Sequence, residues 1–271
     1  MFYFFCITKA LKIKEIRNFL FFIINLIQPK GNLYVFSMMR YISLFLILML
    51  SCGMNCFSQS ISGKIDGFDY VDLRLPSGTL WATCNVGASS PTECGNYYAW
   101  GETKPKSTYT YDTYRWADPN KKGLFDIPLL TKYCDNEKYG VVDNKYTLEA
   151  SDDAATATWG KKWRMPTYEE QRELIDNCTW KYVKNYKGSD VSGYLGTSKK
   201  NKKTIFLPCC GHYGRSGFEE AISGFYWSKV KGRNMDLFLP EPDDSYYSID
   251  SDTGSGYAVF HGQSVRAVVV K

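Results

Sequence analysis

Histidine is nearly absent from this chain: 271 residues contain two, His212 and His261. Each stands alone among strand and turn residues, so neither a histidine-based zinc spacing nor a base paired with a nucleophile can be read. The first apolar run, residues 19–27, is too short to span a bilayer. No repeat of roughly 20 to 50 residues recurs, which excludes solenoid and propeller architectures. Charge excess is also missing where it would matter. The formal charge is +5, but residues 1–58 hold six basic residues against the single acid Glu15, and residues 59–271 carry 27 of each sign. A balanced surface argues against nucleic acid as a partner, because neutralising phosphates takes a clustered excess of Lys and Arg. The one basic run, Lys199, Lys200, Lys202 and Lys203, is bounded by strand signals and reads as a solvated hairpin tip.

What is present begins with an export signal. Met38, Met39 and Arg40 precede an apolar core at residues 41–50, and small and polar residues follow to Ser58, the three-part layout of a secretory signal. Residues 1–37 then read as an upstream extension outside the mature protein, 38–58 as signal peptide, 59–67 as a short linker and 68–271 as a single domain. Two processing sites compete. Cys56, Phe57 and Ser58 suit cleavage that leaves Gln59 as the N-terminus, whereas Leu50, Ser51 and Cys52 resemble a lipoprotein box that would put a lipid on Cys52. Both place the protein outside the cytoplasm: secreted, periplasmic or held at the outer membrane, with a membrane met only through the signal or the lipid.

Six cysteines follow residue 58, and six allow fifteen pairings. One bridge, Cys84 to Cys178, would join a strand to a helix end across a core, and the alternative is that both are buried free thiols. Cys209 and Cys210 are adjacent in a strand end and point to opposite faces.

Strand signals dominate, with two short helices, so the fold class reads as α+β. Residues 70–75 and 79–85 flank the turn Pro76, Ser77, Gly78 as a hairpin, and residues 96–100 form a short aromatic strand. Residues 102–146, rich in Tyr and carrying Pro105, Pro119 and Pro128, read as a packed loop excursion. Ser151 caps a short helix over 152–158 that ends at Gly160. In the segment WGKKWRMPTYEEQRELIDNCTW at residues 159–180, Pro166 holds Met165 extended, and Thr167 with Glu170 makes a capping box for a helix over 168–177. That helix buries Tyr168, Leu174, Ile175 and Cys178, and Trp163 and Trp180 are its large apolar anchors. Strands are expected at 181–186, 193–197, 204–208, 224–230, 235–239, 246–250 and 264–270.

Five blocks in order carry a resemblance: VDLRLPSGTLWATCNVGASSPTECGNYYAWGETKPKS at 71–107, the segment at 159–180, IFLPCCGHY at 205–213, FYWSKV at 225–230 and GQSVRAV at 262–268. Together they resemble the Fibrobacter succinogenes major paralogous domain family. The resemblance implies a C-type lectin-like fold related to the formylglycine-generating branch: a twisted antiparallel sheet, two flanking helices, long loops on one side and paired terminal strands. It also implies an exported bacterial protein without an assigned activity. Abundant Tyr, Trp and Phe beside Asn, Asp and Ser suit sugar faces or protein partners, so a non-enzymatic binding or adhesion module without a cofactor, meeting an extracellular glycan or protein, is expected. Under that analogy the ligand face draws on Tyr213, Arg215, Asp243, Asp244, Tyr246 and Tyr247, while Trp227 alternates inward into the core.

Two further chemistries and one structural alternative are open. Glu241, Pro242, Asp243 and Asp244, with Asp250 and Asp252, offer oxygen ligands for calcium and resemble half of a calcium-dependent lectin motif. An oxidase of the formylglycine-generating type would hold copper through two cysteines, for which Cys209 and Cys210 are the one close pair, although adjacency departs from that pattern. The structural alternative is an envelope component with no small ligand. Paired acids Asp152 with Asp153 and Glu169 with Glu170 lie on first turns, where the helix dipole accounts for them.

Overall fold

A computed structural model describes residues 59–219, 222–238, 249–250 and 258–269. All of them belong to one compact unit, whose architecture is α+β with strand predominating. Its central feature is a five-stranded antiparallel sheet in the order Gly63–Ile65, Phe68–Val71, Trp81–Ala82, Val268–Val269, Trp163–Arg164. The first two strands are joined through Asp66 and Gly67, both at positive φ, the backbone that a two-residue hairpin turn requires. Residues 59–67 are therefore not a linker. Gln59 is buried, its side-chain amide donating to the Thr83 carbonyl at 2.7 Å and its amide oxygen accepting from Phe206 N–H at 2.7 Å.

The chain ends close on one another through Trp81. Val71 and Val268 both pair with it, so the C-terminal strand lies beside Trp81–Ala82 and is not paired directly with Phe68–Val71. On its other side Val269 pairs with Trp163. Trp163 has no exposed surface, and its indole N–H donates to the Ile65 carbonyl at 3.3 Å. It packs edge-on against Trp159, which stacks on Phe68 at 4.1 Å. Side chains of alternate parity feed two cores, since successive residues of a strand face opposite ways. Trp163, Val265, Ala267 and Val269 join Trp100 and Trp227 on one face, whereas Trp81 and Val268 join Leu174, Leu207 and Leu237 on the other.

Helix α1, Ala154–Trp159, starts one cap later than the sequence suggests. A 3-10 turn, Ala150–Asp152, precedes it, and Asp153 is the N-cap, accepting from Thr156 N–H at 3.0 Å. The same carboxylate accepts from Met165 N–H at 2.9 Å, which ties the helix start to the strand exit. Helix α2, Tyr168–Asn177, has the expected capping box: Glu170 N–H donates to Thr167 Oγ1 at 3.2 Å and Thr167 N–H to Glu170 Oε2 at 2.8 Å. Its buried stripe differs from expectation. Leu174 and Cys178 are buried as expected and Gln171 is buried as well, while Tyr168 and Ile175 are partly buried, Ile175 packed against the core. Gln171 goes inward with its amide donating to the carbonyls of Tyr226 at 3.0 Å and Trp227 at 3.3 Å, which ties the helix to strand Gly224–Trp227.

Beyond α2 the chain passes directly into a three-stranded sheet, Cys178–Val183, Gly193–Ser198 and Thr204–Pro208. The excursion expected as loop over 102–146 holds a small sheet of its own, Ala117–Lys122, Pro128–Cys134 and Gly140–Val142, the last two parallel. Pro128 tolerates strand geometry there because it is the first residue of its strand.

Candidate functional site

A short hairpin, His212–Gly214 with Gly217–Glu219, projects from the end of strand Thr204–Pro208 with Arg215 and Ser216 at its tip. The disulfide Cys94–Cys210 fixes its root, and the Tyr97 hydroxyl donates to the Cys210 carbonyl at 2.5 Å. Its flank is fixed by a backbone pair in which Tyr213 N–H donates to Gly262 O at 2.8 Å and Gly262 N–H to Tyr213 O at 2.9 Å. Gly262 must be glycine at this crossing, because a Cβ there would lie 2.7 Å from the Tyr109 ring.

Aromatic rings surround the hairpin. Tyr213 meets Tyr97 and Tyr109 at 5.1 Å each and Phe218 at 5.2 Å, mostly edge to face, the geometry that ring quadrupoles favour. Phe218 is half exposed, at 50%, and Arg215 is exposed beside it. Tyr109 donates its hydroxyl to the Tyr97 carbonyl at 2.7 Å. Burial pushes the Tyr97 and Tyr109 phenols up to about 12, so both stay protonated at neutral pH. Next to this group lies an apolar cleft of about 340 Å³, lined by Tyr111, Ile127, Leu130, Tyr139, Ala258 and Val259. The Tyr111 ring lies 4.4 Å from Phe260.

The two histidines that stand alone in the sequence come together here. His212 and His261 have ring centroids 5.5 Å apart, with Phe225 4.6 Å from the first and Phe260 4.7 Å from the second. Burial holds both imidazoles below their ordinary pKa, against the pull of Glu219, whose carboxylate lies 3.5 Å from His212 Nε2. The charge of Arg215 reaches Tyr111, Asp112 and His261. At neutral pH the site therefore presents aromatic faces, neutral imidazoles and one permanent cation at the hairpin tip. Such a surface can stack and hydrogen-bond.

Of the residues expected at a ligand face, Tyr213 and Arg215 are brought together on this hairpin. Asp243, Asp244, Tyr246 and Tyr247, with Glu241, Pro242 and Asp252 of the calcium alternative, lie outside the described residues. Among the described residues no group of three or more His, Cys, Asp or Glu is arranged to hold a metal ion. Trp227 is buried, its indole N–H donating to the Tyr98 carbonyl at 2.8 Å.

The cysteine pairing differs from expectation. Cys94 and Cys210 are bonded, and Cys84 and Cys178 are free. Cys84 lies in the bend beyond the Trp81–Ala82 strand and is partly exposed, whereas Cys178 is buried beside Leu174. Burial raises the Cys178 thiol to about 12 and the Cys209 thiol likewise. Cys209 and Cys210 are thus not a pair of thiols, since Cys210 is already bonded, and the ligand pair of the oxidase alternative is lost.

Comparison with family models, curated proteins and solved structures yields no match to this chain.

Proposed function

We propose that the chain is an exported, non-enzymatic binding or adhesion module of the bacterial envelope with a C-type lectin-like fold, of the Fibrobacter succinogenes major paralogous domain type. The aromatic hairpin carries this reading: Tyr213, Phe218 and Arg215 form a partly exposed stacking surface on a rigid base. Rigid aromatics ordered in advance lose little freedom on binding, which is how a stacking surface gains affinity for a sugar face or a protein partner. Support for the fold comes from Val71 and Val268 both pairing with Trp81 and from two helices accompanying the sheet. The Cys94–Cys210 bond suits an oxidising compartment, and so supports export.

The test is an array of glycans and envelope proteins probed with the chain as processed on export. Saturable binding should fall at least about tenfold in Tyr213→Ala, Phe218→Ala and Arg215→Ala, the loss expected when a central contact residue is removed, with melting unchanged in the Phe218 and Arg215 variants. Undiminished binding in all three would sink the site, and no binding to anything would favour an envelope component without a ligand.

A further inference from the structure

The three-stranded sheet unit, residues 178–208, is far from neutral. It carries seven lysines, Lys181, Lys184, Lys187, Lys199, Lys200, Lys202 and Lys203, against one acid, Asp190, while the rest of residues 59–271 has 20 basic against 26 acidic residues. The charge balance of the domain thus hides a strongly basic region and a compensating acidic remainder. All of these lysines except Lys203 are exposed.

Their partners are unusual. Among the described residues none of Lys184, Lys187, Lys199, Lys200, Lys202 and Lys203 forms a salt bridge, although ten other basic side chains outside this unit, His212 aside, do. Lys199 donates to the Asp176 carbonyl at 2.6 Å, Lys203 to Ser62 Oγ at 2.8 Å, and Lys187 lies over the Tyr186 ring at 5.6 Å. These contacts steady the side chains and neutralise nothing.

The chain enters the domain through this same unit. Gln59 N–H donates to the Tyr186 hydroxyl at 2.6 Å, its side chain holds Phe206, and Ser60 N–H donates to the Thr204 carbonyl at 2.9 Å. Upstream lie the apolar run at residues 41–50 and Cys52, the two elements that would sit in or be tethered to a bilayer. The eight residues 51–58 separate that run from Gln59, a span of at most about 30 Å when fully extended.

We infer that the lysine tip between strands Gly193–Ser198 and Thr204–Pro208, formed by Lys199, Lys200, Lys202 and Lys203, docks on anionic lipid headgroups. Ammonium groups are compact point charges suited to phosphate, and their attraction acts within a Debye length, about 8 Å at physiological salt. The hairpin tip at Lys199 to Lys203 lies at one end of strand Thr204–Pro208, and the aromatic hairpin follows the other end. A membrane held at the tip leaves the stacking surface free, and the inference does not depend on what that surface binds.

The experiment is flotation of the processed protein with two vesicle populations, phosphatidylcholine alone and phosphatidylcholine with phosphatidylglycerol at about three to one, at low and high salt. Partition onto the anionic vesicles should be at least about tenfold stronger at low salt and should weaken as salt rises. It should be lost in the combined variant Lys199→Glu, Lys200→Glu, Lys202→Glu, and reduced by the milder combination Lys199→Gln, Lys200→Gln. Circular dichroism of both should be unchanged. Binding to phosphatidylcholine alone that both variants retain reports an acyl chain on Cys52 and is subtracted. Equal partition onto both vesicle types in the unsubstituted protein, or no effect of either substitution set, overturns the inference. Equally tight, lysine-dependent binding to duplex DNA overturns it as well, since the face would then be a general polyanion surface.

Discussion

Cys94 is bonded to Cys210 across 116 residues of sequence, with their Cα atoms 5.5 Å apart. The bond joins the loop that carries Tyr97 to the root of the hairpin that carries Tyr213, so the two halves of the stacking surface share one covalent support. Removing a native bridge that closes a long loop costs about 2 to 5 kcal/mol, chiefly by freeing the unfolded chain. Cys94→Ser should lower stability by that amount in chemical denaturation and loosen ligand binding as well. A peptide map of the unreduced protein should yield one linked pair, Cys94 with Cys210. Recovery of a Cys84 to Cys178 peptide would refute the assignment.

Arg266 is 1% exposed and faces no carboxylate among the described residues. Its guanidinium donates to Asn85 Oδ1 at 2.9 Å and to the carbonyls of Phe206 at 3.0 Å and Ala82 at 3.4 Å, with Nη2 unpartnered. Burial lowers its pKa, opposed by the charges that Tyr226, Cys84 and Tyr186 would carry if ionised. Phe206 is thereby held from both sides, its carbonyl by Arg266 and its N–H by Gln59, which closes the seam between the five-stranded and three-stranded sheets. Arg266→Ala leaves these acceptors buried and opens a void, and should cost on the order of 3 to 5 kcal/mol. Arg266→Met fills the volume and should cost less. Equal losses for the two would show that packing plays no part and that the polar bonds alone hold the seam.

Local signals were legible in the sequence and non-local ones were not. The capping box of Thr167 and Glu170 can be read because both partners lie within one turn, and Glu170 then adds a forked pair to Arg164 at 2.6 Å that no local rule supplies. Asp66 and Gly67 carry a strong hairpin signal, although they lie in a stretch whose composition reads as linker. The sheet within residues 102–146 hides behind its prolines and its parallel pairing. Arg266 sits in an apolar run of which both faces are buried, and a lone charge in such a run was the available sign that it bonds inward. His212 and His261 meet only in the fold, 49 positions apart in sequence. Neither Tyr213 nor Arg215 has a local pattern that marks it, and the ring cluster around Tyr213 is assembled by contacts distant in sequence.

The histidine pair makes stability depend on pH in a window of its own. Burial lowers both pKa values from the ordinary 6.5, and for His261 the neighbouring His212 lowers it further. The unfolded chain then binds protons more readily than the folded one as pH falls below about 6.5. Stability is complete above that value and is lost as pH falls through the interval down to the lowered folded values. Among the described residues, Glu219 favours the charged forms of the pair and Arg215 disfavours that of His261. Melting temperature measured from about pH 7.5 to about pH 5 should therefore decline, and the double variant His212→Gln, His261→Gln should flatten the decline over that range. The Glu170 carboxylate gives a separate window: burial tends to raise its pKa, but Arg164 and the Thr167 N–H hold it below 4.5, so its contribution is lost only at more acid pH. A decline that persists unchanged in the double variant would assign the effect to carboxylates and remove the imidazoles from the account.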